Sequence, residues 1–330
     1  MINPNDFDGG LRFGPKTFVE QTGRNKVWAE PRRLICDRDR LECPTCGGVD
    51  RRPIFPANPQ TSYVACKTCG MIYASTLPTD EVLLDYYQHG SAPASWAEHV
   101  QQNQLEITLD RLKFRWALEL AGWGAPNDVL LDVGCSTGTL LSVAGEMVAS
   151  STRLIGLEVN ARAASVAEAV VPGALICRDM SAASARIATR NPLDGRPNFL
   201  VLWEVLEHVV DPAKLLLDAA KLMRSSPATI LICVPNAHSL AAKVLHEKAP
   251  MFGTGHFNIW GPSTLQLFLQ RYLPGFTVEY RSIISWVKEV TNHYRFMGPF
   301  DDDPEVVIHD PAAILKNLEG YKLVAVARRA

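Results

Sequence analysis

The chain has 330 residues, of which 47% are hydrophobic, and its formal net charge is -2. Such a chain can bury a substantial core and divide into two modest domains, which excludes a disordered or fibrous protein. A near-neutral charge also lacks the general attraction to phosphate that clustered lysine and arginine provide, so we do not expect a nucleic-acid partner.

The chain carries no recognisable targeting signal. Its first residues, MINPNDFDGG, have neither the basic flank nor the apolar stretch of a signal peptide, and no run of about 18 uncharged apolar residues follows. We therefore expect a cytoplasmic protein that does not enter the membrane. In that compartment the eight cysteines should be reduced.

The chain divides into four predicted parts. Residues 1–40 are rich in glycine, proline and charge without a sustained periodicity, so we expect an extended arm there. A small cysteine-containing module follows at 41–78. Apolar residues then recur at spacings of three and four, which predicts a helical linker at 79–125. The remaining residues, 126–330, form the main domain, and the stretch near 286–320 is a candidate substrate lid.

Two Cys-x-x-Cys pairs stand in the small module, Cys43 with Cys46 and Cys66 with Cys69. Two residues between thiolates let one turn present both sulfurs to a tetrahedral ion, so the pattern predicts Zn²⁺. Redox-active dithiols are the alternative, but they would need no second matching pair. Four sulfur ligands leave no open position, so this zinc would be structural. Cys36 lies outside the pattern.

From residue 126 onward, apolar strand runs alternate with helical segments. This alternation is typical of an α/β fold, in which helices cover both faces of a parallel sheet. The expected strands are 129–133, 154–159, 174–177, 199–203, 230–234, 276–284 and 321–327. We therefore predict a doubly wound, Rossmann-like sheet of seven strands.

Acidic and small residues follow the first three of these strands. The first strand runs through Asp132 into a turn at 134–138, where glycines let the backbone approach a ligand closely. Glu158 ends the second strand and can accept both hydrogen bonds of a ribose diol. Asp179 follows the third and can accept from an adenine amino group. Each feature alone could be a tight turn or a solvated strand end, but their succession favours an adenosyl site.

Together with the string WEVLEHV at 203–209, these segments resemble the successive motifs of class I S-adenosylmethionine-dependent methyltransferases over residues 126–283. The resemblance implies S-adenosyl-L-methionine as the cofactor and methyl transfer as the reaction. The residues that it places at the cofactor are Asp132, Gly134, Cys135, Ser136, Gly138, Glu158, Asp179, Met180, Trp203 and Glu204. Ser136 stands where this family usually has glycine, and we expect it to be tolerated. The cysteine module likewise resembles the zinc ribbon that precedes this domain in many bacterial enzymes of sugar, polysaccharide and secondary metabolism.

Two other nucleotide-binding folds compete with this interpretation. A dehydrogenase fingerprint, Gly-x-Gly-x-x-Gly, would need glycine where Ser136 and Thr139 stand, and the Lys-Ser/Thr ending of a P-loop does not occur in this turn. A third alternative is a non-catalytic protein that keeps the fold as an interaction scaffold. The intact acidic strand ends disfavour it.

Groups that follow the fourth strand would lie beside the transferred methyl group. Methyl transfer is an in-line displacement, so the protein must align the acceptor, exclude water and in some cases remove a proton. We name Glu204, His208 and His256 as candidate catalytic residues. His208 is the candidate general base, with an ordinary pKa of about 6.5. A structural histidine at a helix start is the alternative.

Glu204, Glu207, His208 and His256 could instead bind a second, catalytic metal ion. Glu204 and His208 are four residues apart and would share a face if this stretch is helical. The arrangement resembles that of small-RNA 2'-O-methyltransferases and certain ubiquinone-pathway O-methyltransferases. The same string also occurs in relatives without a known metal role.

The predicted function is therefore methyl transfer to oxygen or carbon of a small-molecule metabolite such as a sugar or a polyketide. The alternative is an RNA or protein methyltransferase that uses the zinc ribbon to recognise its substrate. For that alternative the candidate phosphate contacts are Arg32, Arg33, Arg38, Arg40, Arg51 and Arg52. Neither the acceptor itself nor the oligomeric state is predicted.

Overall fold

The computed structural model describes residues 34–54, 62–90, 104–150, 153–189, 195–246, 249, 251–253, 255–284 and 311–330. The strands are β1 (Arg38–Asp39), β2 (Arg51–Pro53), β3 (Tyr63–Cys66), β4 (Ile72–Ala74), β5 (Thr76–Leu77), β6 (Leu130–Val133), β7 (Leu154–Leu157), β8 (Leu175–Cys177), β9 (Phe199–Trp203), β10 (Ala228–Pro235), β11 (Asn258–Ile259), β12 (Thr277–Ile283) and β13 (Lys322–Arg329). The helices are α1 (Asp80–His89), α2 (Gln104–Ala121), α3 (Thr139–Val148), α4 (Ala161–Val170), α5 (Met180–Ala188), α6 (Pro212–Leu222), α7 (Leu240–Leu245), α8 (Pro262–Tyr272) and α9 (Pro311–Lys316). A short 3₁₀ helix spans Leu206–His208.

A seven-stranded sheet forms the centre of the fold, in the order β12-β13-β10-β9-β6-β7-β8. Neighbouring strands from β10 to β8 are parallel, whereas β13 runs antiparallel to both β10 and β12. Leu131 and Ile155 belong to one apolar cluster and Leu130 and Leu154 to another. Successive residues of a strand point to opposite faces, so both faces of the sheet are covered. The predicted seven-stranded, Rossmann-like sheet is confirmed.

The helix boundaries follow local signals in the sequence. Asp211 caps α6, because its side chain accepts a hydrogen bond from the backbone amide of Lys214 at 2.8 Å, and Pro212 occupies the first helical position. The predicted linker contains two helices, α1 and α2, and the residues between 90 and 104 lie outside the described part of the chain. Gly122 follows α2 with a φ of 84°, the left-handed conformation that glycine adopts without strain.

The cysteine module shares a sheet and a core with the larger sheet's domain. A four-stranded sheet has the order β11-β4-β3-β2, and only β11 comes from the C-terminal part of the chain. β11 pairs antiparallel with β4, so that Asn258 lies opposite Tyr73. Tyr73 and Met71 pack in the same apolar cluster as Trp260 and Phe268. The module is therefore docked through hydrogen bonds of the backbone as well as through apolar contacts.

Asn258 joins β11 to the 3₁₀ helix and to the cysteine module. Its side chain is fully buried. The amide nitrogen donates to the carbonyl oxygens of Leu206 and Val209 at 2.9 and 2.8 Å. The amide oxygen accepts from Nη1 of Arg40 at 2.9 Å. One side chain thus connects three segments that are distant in sequence.

Parts of the predicted organisation fall outside the described residues. These parts are residues 1–33 of the arm and residues 285–310, which include most of the candidate lid. The predicted domain boundaries remain predictions. Among the described residues, every helix is too short or too polar to cross a membrane.

We expect Asn258→Ala to lower the free energy of unfolding by about 1–3 kcal/mol, because the carbonyl oxygens of Leu206 and Val209 and the Nη1 of Arg40 each lose a hydrogen bond. Urea denaturation followed by tryptophan fluorescence measures the change. Asn127→Ala is the control: Asn127 is exposed, so its removal should change the free energy of unfolding by less than about 0.5 kcal/mol. Equal effects of the two substitutions would show that Asn258 is not a structural joint.

Candidate functional site

The strand order of the large sheet reverses between β6 and β9, and ligands of open α/β sheets bind outside the strand ends at such a point. The turn at 134–138 lies there. Gly134, Ser136 and Gly138 have φ values of 75°, 49° and 82°. A Cβ atom on Gly134 would lie 2.7 Å from Cγ2 of Val205. Glycine at this position therefore lets the turn after β6 pack against the turn after β9.

Glu158 follows β7 at the edge of this crevice. Its Oε2 accepts from the backbone amide of Ser136 at 3.0 Å, and its Oε1 accepts from that of Asn160 at 2.7 Å. These bonds fix the carboxylate, and each oxygen keeps a second lone pair for a ligand. Burial raises the pKa of Glu158, although the two amides and Arg178 offset part of the effect.

Asp132 lies within β6 and is 3% exposed. Burial raises the pKa of its carboxyl well above the ordinary value, and the charge of Glu158 adds to the effect. A positive charge or a hydrogen-bond donor placed beside these two acids would be stabilised by them. The glycine turn and the two carboxyl groups therefore fit an adenosyl sulfonium as ligand.

The other residues predicted to contact the cofactor line the same strand ends. Asp179 caps α5 with one carboxylate oxygen, which accepts from a backbone amide at 2.7 Å, and the second oxygen is not used by the cap. Met180 begins α5 and packs against the apolar core. Cys135 is buried in the turn after β6. Trp203 ends β9, with its ring edge-to-face against Phe114 at 5.1 Å between centroids.

Glu204 follows β9 and forms an ion pair with Lys322, the first residue of β13. The distance from Nζ to Oε2 is 2.6 Å. Burial alone would raise the pKa of Glu204, but the charge and hydrogen bond of Lys322 outweigh it and the net pKa is lowered. Glu204 is therefore an ionised, partnered carboxylate.

The rings of His208 and His256 are in edge-to-face contact, with ring centroids 4.6 Å apart. The Nδ1 of His208 lies 2.9 Å from the carbonyl oxygen of Gly255, and that of His256 lies 2.9 Å from the carbonyl oxygen of Met251. A carbonyl oxygen can only accept, so each Nδ1 carries the hydrogen, and each Nε2 of the neutral ring has a lone pair.

The expected ordinary pKa of His208 is wrong. Burial lowers it to about 3, and the neighbouring His256 adds to the effect. Burial also lowers the pKa of His256. The loop that carries His256 thus partly shields His208 from solvent, which makes protonation of its ring costly. Both rings are neutral at physiological pH and are suited to accept hydrogen bonds.

The expected shared helical face of Glu204 and His208 is also wrong. Glu204 has a φ of 55°, and the 3₁₀ helix begins only at Leu206. The side chains that do come together are Glu207, His208 and His256, whose ligand atoms all lie within 4.8 Å of one another. Glu204 is not a member of that group because its carboxylate is directed to Lys322.

The four cysteines of the two pairs come together. The Sγ atoms of Cys43 and Cys69 are 3.6 Å apart and those of Cys46 and Cys66 are 3.5 Å apart. Sulfurs bound tetrahedrally to zinc at about 2.3 Å are about 3.8 Å from one another, so the arrangement fits Zn²⁺. Cys36 lies outside this group.

Sequence reasoning missed Tyr87, Asn160 and Lys322. The carbonyl oxygen of Tyr87 accepts from Nδ2 of Asn160 at 2.9 Å, and its ring lies 6.1 Å from that of His208. Burial raises the pKa of Tyr87 well above its ordinary value. Tyr87 therefore lies between the segment after β7 and the histidines. Adjacent tyrosines in a polar helix were a signal for it, whereas no local signal marks Lys322.

A protein-family comparison matches residues 96–280, more than half of the chain, to a family described as "Methyltransferase domain". The chain belongs to this family. This membership in a methyltransferase family agrees with the order of its motifs. None of the curated proteins matches the chain in sequence.

Several solved structures are similar to this methyltransferase. An S-adenosylmethionine-dependent methyltransferase from Thermotoga maritima has 15% identity and a TM-score of 0.41, covering 67% of this chain and 89% of that one. The plantazolicin methyltransferase BpumL, solved with S-adenosylhomocysteine, has 12% identity and a TM-score of 0.45, covering 75% and 93%. An S-adenosylmethionine-dependent methyltransferase from Archaeoglobus fulgidus has 18% identity and a TM-score of 0.44, covering 66% and 94%.

Fewer of the arginines suggested as phosphate contacts are available to RNA than the sequence indicates. Arg40 is buried and donates to Asn258, so it is not available to phosphate. Arg51 donates to the carbonyl oxygen of Arg40. Arg32 and Arg33 lie outside the described residues.

We expect Asp132→Asn to raise the melting temperature of the ligand-free enzyme at about pH 8. The raised pKa means that the ionised carboxylate of Asp132 destabilises the folded state. This destabilisation is absent below the pKa of the unfolded chain, near 3.8, and grows as the pH rises toward the pKa of the folded state. The difference in melting temperature should therefore shrink as the pH is lowered to about 4. Differential scanning calorimetry measures it.

Asp128→Asn is the matched control. Asp128 is also buried, but its oxygens accept from the backbone amides of Gly124 and Ala125 at 3.1 and 2.7 Å and from Nδ2 of Asn198 at 2.8 Å. Asparagine cannot accept all three bonds, so this variant should melt at a lower temperature at every pH. A destabilised Asp132→Asn variant at about pH 8 would contradict the prediction.

Proposed function

We propose that the methyltransferase acts on a small-molecule acceptor, such as a sugar or a polyketide, and methylates oxygen or carbon. The observation that carries this proposal is the pair of neutral imidazoles, His208 and His256, beside the crevice after β6 and β7. Their lone pairs suit a hydroxyl or an activated C–H group better than a phosphate backbone, whose recognition requires accessible cations. The near-neutral charge of the chain agrees with this choice.

We assign the crevice after β6, β7 and β9 to S-adenosylmethionine. Glu158 would accept from the ribose hydroxyls and Asp179 from the adenine amino group, while Gly134 and Gly138 let the backbone approach the methionine end. The bound cofactor supplies a methyl group that its sulfonium activates. The further proposed contacts are Asp132, Cys135, Ser136, Met180, Trp203 and Glu204.

We place the acceptor against His208 and His256, with Tyr87 at its side. The two Nε2 atoms would accept hydrogen bonds from the acceptor and so fix the direction of its nucleophilic lone pair. Glu204, kept ionised by Lys322, would stabilise positive charge that develops on the nucleophile as the new bond forms. His208, His256 and Glu204 are each half-buried, so an acceptor bound against them would displace water that competes for the same hydrogen bonds.

We further propose structural Zn²⁺ at Cys43, Cys46, Cys66 and Cys69. Thr45 lies inside the first pair, and its hydroxyl accepts from Nε1 of Trp260 at 3.2 Å. A zinc-bound turn would therefore give the segment around β11 a fixed surface to pack on. The described cysteines form no disulfide, which suits the reducing cytoplasm that we propose as the enzyme's location.

We expect Glu158→Ala to weaken binding of S-adenosylhomocysteine at least tenfold, because a hydrogen bond to a charged group contributes about 1.5–3 kcal/mol. Isothermal titration calorimetry measures the affinity. Glu168→Ala is the control, since Glu168 is exposed on α4 away from the strand ends. Wild-type affinity in the Glu158→Ala variant would remove the proposed cofactor site.

We expect Cys46→Ser to lose one equivalent of zinc per chain, measured by elemental analysis of the purified protein, and to melt at a lower temperature. The near-ultraviolet circular dichroism of tryptophan should change as well, because Trp260 packs on the same turn. Cys36→Ser should keep the zinc, since its thiol lies outside the cysteine group. Equal zinc contents in the two variants would exclude the four-cysteine site.

A further inference from the structure

A second group of metal-ligand side chains lies beside the proposed acceptor position. Glu207 and His208 end the 3₁₀ helix after β9, and His256 comes from the loop before β11. One ligand atom from each of the three lies within 4.8 Å of the other two. Two separate segments thus bring a carboxylate and two imidazoles to one point.

Each of the two imidazoles keeps one nitrogen lone pair for a ligand. Since each Nδ1 donates to a backbone carbonyl, of Gly255 or Met251, the tautomer of each ring is fixed with Nε2 unprotonated. Histidines that bind metal ions show this same arrangement, because a hydrogen bond at the second nitrogen orients the ring and makes the first a better ligand.

The buried carboxylate of Glu207 is a second feature that points to an ion at this position. Glu207 is fully buried, and neither of its oxygens has a hydrogen-bond partner among the described residues. A buried polar group without a partner is costly, and native proteins seldom keep one without a function. The backbone around it is well held, because the amide of Phe257 donates to the Glu207 carbonyl oxygen at 2.6 Å. The side chain is thus presented on a rigid support.

We propose that Glu207, His208 and His256 bind a divalent transition-metal ion through one carboxylate oxygen and two Nε2 atoms. Imidazole ligands favour ions of the manganese-to-zinc series over Mg²⁺ and Ca²⁺, which take oxygen ligands. Ligand atoms on a common ion at about 2.0–2.1 Å are roughly 3 Å apart, so small side-chain rotations would close the site.

Three protein ligands leave coordination positions open, so with the ion bound the acceptor would contact the ion in place of its direct hydrogen bonds to the two Nε2 atoms. An ion here would bind the acceptor's hydroxyl oxygen and lower the pKa of that hydroxyl, so that its proton passes to water. The oxygen lone pair would then form the new bond to the methyl carbon while the bond from that carbon to sulfur breaks and S-adenosylhomocysteine leaves. This role rests on the proposed function, whereas binding of the ion does not. Glu204 is excluded from the ligand set because it is paired with Lys322.

Titration with Co²⁺ tests the proposal on the untagged full-length protein, with its cysteines already saturated by zinc. We expect one further equivalent of Co²⁺ per chain, with weak visible d–d bands and without the intense near-ultraviolet band of cobalt bound to thiolate. Glu207→Gln and His256→Asn should each weaken this binding at least tenfold. His238→Asn should bind as the wild type does, because His238 is exposed and lies outside the group.

Thermal unfolding provides a second measurement. Co²⁺ should raise the melting temperature of the wild type and leave that of Glu207→Gln unchanged, although this variant should fold well because it removes a buried acid. The proposal is overturned if the wild type binds no second ion, if Glu207→Gln binds it with wild-type affinity, or if the spectrum reports sulfur ligands. Glu207→Gln should still bind S-adenosylhomocysteine. If the wild type itself does not bind S-adenosylhomocysteine, the proposed function fails, whereas the ion site is not affected.

Discussion

The pairing of the two-residue strand β11 with β4 is the constraint that links the proposed zinc site to the proposed ion site at Glu207, His208 and His256. His256 lies two residues before β11 and Trp260 directly after it. The hydroxyl of Tyr63, in β3, lies 3.0 and 2.8 Å from the carbonyl oxygens of Gly253 and His256. The cysteine module therefore holds both sides of the loop that carries His256. An ion at the cysteines would position a histidine that it never contacts.

The turn after β9 connects β11 and its neighbours to the proposed cofactor crevice. Val205 packs against Gly134, so the position of the turn depends on the absence of a Cβ atom there. Asn258 holds the carbonyl groups of Leu206 and Val209. The turn at 134–138, the 3₁₀ helix and β11 are thus fixed to one another by short contacts. Such mutual support is what lets a site keep its geometry before its ligands arrive.

The sequence could predict those parts of the fold whose signals are local. Apolar runs and the glycine turn after Asp132 mark the strands and the crevice, because strand burial and a left-handed turn each select residue types directly. The shared face of Glu204 and His208 could not be judged in this way, since a positive φ at Glu204 breaks the assumed helix. Neither β11 nor Lys322 could be found, because a two-residue strand has no periodicity and an ion pair across distant segments leaves no pattern. The lowered pKa of His208 depends on the same distant loop.

In the described part of the chain, Asp132, Glu158 and Glu207 form no ion pair with a cationic side chain. Burial raises the pKa values of Asp132, Glu158 and Glu207, whereas among the described acids of the crevice Glu204 alone forms an ion pair with lysine. A second or third lysine would stabilise the ligand-free fold but would neutralise the field that attracts a positively charged ligand. The proposed ligands are S-adenosylmethionine beside Asp132 and Glu158 and a metal ion beside Glu207, and both carry positive charge. The electrostatic cost of the empty site and its affinity for these ligands therefore arise from the same carboxyl groups, so substitutions that relieve the cost should also weaken binding.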